Sequence, residues 1–190
     1  MIETLSDADG HVIEPGDLWI ERLPRELRDQ APHFFRDENG VFHQRIYGID
    51  IAELETMHAG LVSPADMLQA MGLAAAMGTD LRRVFSKDPV DRFTIVDASD
   101  WSRDGRKRLE FNRRHGLSRA VLYPTFMLAG GTFAPHLATP VCRVYNDCIA
   151  DFCKPYPDRL KGIAMLNLDD PEEGAAELER VAKMGLVGSF

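Results

Sequence analysis

Three observations predict an α/β fold built on a parallel sheet. Residues 160–168 (LKGIAMLNL) form a nearly continuous apolar run, the pattern of a strand buried on both faces. Residues 119–123 (RAVLY) form a second β-rich run, ended by Pro124. Segments of helical periodicity alternate with these runs, and such alternation is the mark of strand–helix–strand units, which are parallel and right-handed.

In chain order, the first strand is expected near residues 4–12. The region from Phe34 to Asp100 is less regular and reads as a helical insertion, with a helix opening at Ser63-Pro64-Ala65-Asp66 and a shorter one at Thr79-Asp80. A charged helix over about 102–115, closed by Gly116, feeds the strand at Arg119. Its basic residues, Arg106-Lys107-Arg108 and Arg113-Arg114, sit among acids and read as one solvated face. After the 119–123 strand comes a Gly/Thr-rich loop through Gly130-Gly131-Thr132. Thr139-Pro140 then opens a helix whose apolar stripe is Val141, Val144, Tyr145, Cys148, Ile149 and Phe152, and Pro155 ends it. Beyond the 160–168 strand, Asp170 is placed as an N-cap, with Pro171 in the first turn and Glu173 at the capping-box position. Ala175, Leu178, Val181 and Ala182 continue that helix, Gly185 stops it, and a fourth strand begins at Leu186.

Composition narrows the function classes. A net charge of −8 and a pI near 5.2 repel phosphate backbones, so no nucleic-acid partner is expected. No apolar run is long enough to span a bilayer and the first residues carry no secretion signal, so no membrane partner and a cytoplasmic location are expected. The three cysteines, Cys142, Cys148 and Cys153, fall in one helix at spacings that suit neither a disulfide framework nor a zinc knuckle.

The residues that carry chemistry stand at the start, Asp7-Ala8-Asp9-Gly10-His11. On an extended strand alternate side chains share a face, so Asp7, Asp9 and His11 are expected to point the same way. A carboxylate and an imidazole two residues apart can reach one divalent ion, and that donor set suits Zn²⁺, Mn²⁺ or Fe²⁺. Taken by spacing alone, the same residues also fit a polar turn with a hydrogen-bonded histidine. An EF-hand loop fails, because Gly10 at its sixth position would put Leu5 first and Gly16 twelfth. An aspartyl-nucleophile phosphatase, with Asp7 as nucleophile and Asp9 as acid/base, is weakened by His11 standing where a hydroxyl residue belongs. Its late acidic motif could only be Asp169-Asp170, which fits better as a helix cap.

Asp7 to His11, followed by Glu14-Pro15 and Asp17-Leu18-Trp19, resembles the opening of amidohydrolase-related metal enzymes of the aminocarboxymuconate-semialdehyde decarboxylase and γ-resorcylate decarboxylase types. The resemblance continues in order through Arg119 to Thr125, Tyr145-Asn146-Asp147, Asp151-Phe152-Cys153, Tyr156 to Gly162, Asp169 to Glu173 and Gly185 to Gly188. It implies part of a (β/α) TIM-type barrel, about the first four strands: one incomplete domain over 1–190, with the helical insertion at about 34–100. Complete barrels of this kind take about 250 residues.

The resemblance also implies that Asp9 and His11 are the first-strand metal pair, with Glu14 a further ligand or a supporting partner. The divalent metal would be zinc or manganese. By the same resemblance, the remaining histidine ligand and a catalytic aspartate belong to later strands, so no catalytic residue is assigned. His33, His43 and His58 lie in the insertion, His115 reads as a helix C-terminal residue, and His136 stands in the loop after the second strand. The implied activity of the parent enzyme is hydrolysis or non-oxidative decarboxylation of a small carboxylic acid. The alternative is a truncated, inactive half-barrel, whose open sheet edge invites a homo-oligomer.

Overall fold

The computed structural model describes residues 5–46, 49–50, 100–125, 127 and 133–189. Four strands form one parallel sheet: β1 (Leu5–His11), β5 (Leu117–Tyr123), β6 (Leu160–Ala164) and β7 (Gly188–Ser189), in the order β1-β5-β6-β7. That order advances in one direction without reversal. Right-handed crossovers that advance one way put every helix on the same face, which makes an arc of a barrel and not a doubly wound sheet. The helices of this face are α2 (Gly105–Arg114), α3 (Pro135–Cys153) and α4 (Pro171–Lys183). Towards them the strands turn Ala120, Leu122 and Leu160, which join Leu137, Val141, Tyr145 and Ile149 in the core. Gly162 leaves room for that packing, since a Cβ there would stand 2.8 Å from both Ile149 Cγ1 and Leu186 Cδ2. The short helix α1 (Leu18–Arg22) seals the start of α3: Trp19 is fully buried and its Nε1–H donates to the Val141 carbonyl.

Asp170, Gly185 and Gly116 cap where the sequence places them. Asp170 accepts from the Glu173 amide, and Gly185 closes the helix at φ +92°. The Glu173 carboxylate is engaged by Arg143 on α3. Asp104 caps α2 by accepting from the Lys107 amide, and Gly116 ends it at φ +72°.

Four expectations need correction. Residues 33–46 and 49–50 are not helical: β2 (His33–Arg36), β3 (Phe42–Ile46) and β4 (Ile49–Asp50) form an antiparallel meander. Asp37 closes its first turn by accepting from the Asn39 and Val41 amides, and Phe34 alone of β2 is buried, so the alternation is that of a half-buried strand. The helices expected at Ser63 and Thr79 lie outside the described residues, as does the loop at Gly130-Gly131-Thr132. Second, α3 begins at Pro135 and not at Thr139. The Ala134 carbonyl accepts from both Leu137 and Ala138, so the first turn is closed before Pro140 is reached, and Pro140 is carried inside the helix. Third, β6 stops at Ala164, because Asn146 takes both the amide and the carbonyl of Met165. Fourth, the basic run of α2 is not all solvated, for Arg108 is only 2% exposed.

Among the described residues, no helix is long and apolar enough to cross a membrane.

Candidate metal centre

Strand β1 does not keep a simple alternation. Asp7 pairs with Ala120 but Gly10 pairs with Leu122, so β1 spends an extra residue between these two rungs. This is a bulge, and a bulge re-aims the side chains that follow it. The Asp7 carboxylate holds the bulge from within: its Oδ1 accepts from the Asp9 amide at 3.1 Å. Its Oδ2 faces Arg108 Nη2 at 3.4 Å, on the helix side of the sheet. A Cβ at Gly10 would fall 2.4 Å from that same guanidinium nitrogen, so Gly10 and Asp7 share a face. His11 therefore faces away from the helices, beside Tyr123, its partner in register, with the two ring centroids 6.1 Å apart. The expected common face of Asp7, Asp9 and His11 is thus split: Asp9 and His11 come together and Asp7 does not join them.

His11 Nδ1 lies 2.6 Å from the Pro124 carbonyl oxygen, which can only accept, so Nδ1 carries the proton and donates. In the neutral ring Nε2 presents its lone pair, and it lies 3.7 Å from Asp9 Oδ1. Two donors about 2.0–2.2 Å from one ion at a tetrahedral angle stand about 3.4 Å apart. The pair fits a shared divalent ion by spacing, by donor chemistry and by access, since Asp9 is open to solvent and His11 is one-third exposed. A histidine whose second nitrogen donates to a carbonyl is the usual arrangement at protein metal sites. Among the described residues, no group of three His, Cys, Asp or Glu could hold a metal, so a third protein donor is not found there.

Glu14 is 1% exposed. Its two oxygens accept from the amides of Thr125 and Met127 at 3.3 and 3.2 Å. The Thr125 hydroxyl donates to the Val12 carbonyl at 2.7 Å, and the Val12 amide donates to the Tyr123 carbonyl. Glu14 thus ties the segment after β5 to the end of β1, and in doing so it holds the Pro124 carbonyl that orients His11.

The remaining histidines are engaged elsewhere. His136 is in the first turn of α3, not a loop, and its Nε2 is 2.9 Å from Gln30 Oε1. His43 pairs with Asp37, His33 stacks on Phe35, and burial, with Arg45 nearby, lowers the pKa of His33. His115 caps α2, with Nδ1 donating to the Phe111 carbonyl, and His58 lies outside the described residues. Burial pushes the Cys142 and Cys148 thiols up to about 11 and Cys153 to about 12, so none is a ready thiolate.

Two features near the site were not singled out from sequence. Tyr123 became visible only through its register with His11. Arg108 was hidden in a charged run, and a buried arginine is distinguished from its neighbours only by helix phase and a carboxylate partner far away in sequence.

Comparison with known proteins places these features in a family context. Residues 123–189 match the family model described as amidohydrolase. A γ-resorcylate decarboxylase from Rhodococcus jostii (strain RHA1) is 43% identical over 54 residues, covering 28% of this chain and 16% of that protein. Among solved structures, an amidohydrolase from Mycobacterium avium subsp. paratuberculosis K-10 superposes with a TM-score of 0.66 at 16% identity, over 96% of this chain and 47% of that one. IDCase from Metarhizium anisopliae in its apo form gives 0.52 at 19% identity, over 96% and 40%. The chain spans less than half the length of either structure, and the likeness to both is one of fold.

Proposed function

From the match of residues 123–189 to the amidohydrolase family model, we infer that this chain carries the first-strand part of a divalent-metal site. The barrel that holds this site would remove CO2 from a small carboxylic acid without oxidation. The observation that carries the reading is the His11 geometry: Nδ1 is committed to Pro124 and Nε2 is aimed beside Asp9. The local likeness to γ-resorcylate decarboxylase favours decarboxylation over hydrolysis.

In this reading Asp9 and His11 would hold zinc or manganese. The metal would act as a Lewis acid towards oxygen atoms of the substrate. His11 would bind through Nε2, because Nδ1 is engaged by the Pro124 carbonyl. Glu14 keeps that carbonyl in place through the Thr125 and Met127 amides. Tyr123 flanks the imidazole. Asp7 faces α2, which places it badly for the alternative role of phosphatase nucleophile. Two donors are one fewer than a catalytic zinc takes from protein, so the third comes from outside the described residues.

CO2 release from 2,6-dihydroxybenzoate, measured with added Mn²⁺ or Zn²⁺, tests this reading. Turnover that requires metal and falls by about 100-fold or more in His11→Ala is expected. Turnover that survives chelation or the loss of His11 contradicts it. Metal-dependent hydrolysis of an amide or lactone, with no CO2 released, would overturn the decarboxylation.

A further inference from the structure

The position of Arg108 is costly, and its contacts say what it is for. The side chain leaves α2, is almost fully buried, and makes four separate contacts. Nη1 donates to the His11 carbonyl at 2.7 Å, Nη2 faces Asp7 Oδ2 at 3.4 Å, Nε donates to Asn112 Oδ1 at 3.2 Å, and Cζ lies 5.0 Å from the centre of the Trp101 ring. Burial works against its charge and Asp7 works for it. Asn112 is itself buried, and its Nδ2 has no partner among the described residues. A position serving the core alone would be filled by an apolar side chain, because an orphaned buried donor is destabilising. Here the amide is retained with its oxygen turned to the guanidinium.

The backbone explains the arrangement. The Val12 amide points to β5, so the polar groups of its neighbours His11 and Ile13 point the other way. Residues of the α2 segment meet them: the Ile13 amide donates to the Ser102 carbonyl, and Arg108 donates to the His11 carbonyl. The guanidinium therefore grips β1 on both sides of Gly10, at the Asp7 carboxylate and at the His11 carbonyl. Gly10 has no Cβ at the one place where a Cβ would collide with it.

We propose that Arg108 is a positioning residue for Asp9 and His11: with Asp7 and Gly10 it locks the β1 bulge that turns His11 away from the helices and holds its Nδ1 on the Pro124 carbonyl. The inference rests on the metal reading only for its purpose. The geometry is a property of the metal-free chain and is tested there.

The experiment is long-range ¹H–¹⁵N NMR of the His11 imidazole in metal-free protein, at a pH where the ring is neutral. The unmodified chain should show a single Nδ1–H tautomer. Arg108→Met and Asp7→Asn should move the two ring-nitrogen shifts towards the averaged values of a free imidazole, and Arg108→Lys, which keeps a cation and a donor, should restore part of the change. Val181→Ala, a core deletion on α4, should lower Tm without moving the His11 pattern. The proposal is overturned if the His11 pattern stays as in the unmodified chain in Arg108→Met and Asp7→Asn. It is equally overturned if Val181→Ala moves the pattern as far, since that would mark a general loosening. Should Arg108→Met fail to fold, Asp7→Asn carries the test, because the Asp7 side chain is partly exposed and can be replaced without emptying the core.

Discussion

Gly10 and Glu177 show how single residues set the terms for everything around them. Gly10→Ala drives a methyl group to 2.4 Å from Arg108 Nη2 and 2.8 Å from Asp7 Oδ2, so one of the pair must move. The expected cost is about 1–3 kcal/mol, read as a lower urea midpoint at unchanged slope. Glu177 is a buried carboxylate on α4 that accepts from Asn146 and from both Arg143 and Arg180. Burial alone would raise its pKa, but the hydrogen bonds from Arg180 and Asn146 and the charge of Arg180 hold it below the ordinary glutamate value. A folded-state pKa below the unfolded one means that the unfolded chain takes up the proton first as pH falls. Its contribution is therefore complete above about pH 4.3 and is lost as pH falls through the lowered folded value. Urea melts of the unmodified chain and Glu177→Gln between pH 6 and 3 should show the difference between them shrinking as acid is added; a constant difference would contradict this. Glu177→Ala should cost about 2–3 kcal/mol, less than a fully buried pair, because Arg143 and Arg180 are half-exposed and can rehydrate.

The segment after β5 is the element on which the site depends most. Glu14 holds it by the Thr125 and Met127 amides, and Asn146 does the equivalent for the segment after β6 by taking both polar groups of Met165. Glu14→Ala should cost about 1–3 kcal/mol and speed hydrogen exchange at Thr125 and Met127 well beyond that of β5. Unchanged exchange at those two amides would mean that Glu14 does not hold the segment. The regular elements were legible in the sequence because apolar period, N-cap and C-terminal glycine agreed, as at Asp170, Val181 and Gly185. Two kinds of element were not. In the first hairpin of the meander Arg36 pairs with Phe42, and the turn between them rests on Asp37 contacts that spacing does not reveal. The bulge in β1 depends on a side chain 101 residues away, so alternation gave Asp7 the wrong face while it paired Asp9 with His11.

At the scale of the molecule, a one-directional parallel order puts the helices on one face and leaves the other for side chains that end near the tops of the strands. In barrels of this type that is where function sits. His11 at the end of β1, Tyr123 at the end of β5 and the segments held by Glu14 and Asn146 all gather there. The proposed site is legible in the sequence as far as two candidate donors, because Asp-x-His on a strand is local information. The side chains that aim those donors come from α2 and from the loop after β5, and no local pattern announces them.

The central claim is that Asp9 and His11 share a divalent ion. Substoichiometric Mn²⁺ added to ¹⁵N-labelled chain tests it without requiring tight binding, since paramagnetic broadening marks even a briefly occupied site. The account predicts that the signals of Asp9 and His11 broaden first, with Tyr123 and Pro124's neighbours next, and that His11→Ala removes the effect. Broadening centred on Asp37 and His43, or on Asp169 and Asp170, with Asp9 and His11 left sharp, would contradict it.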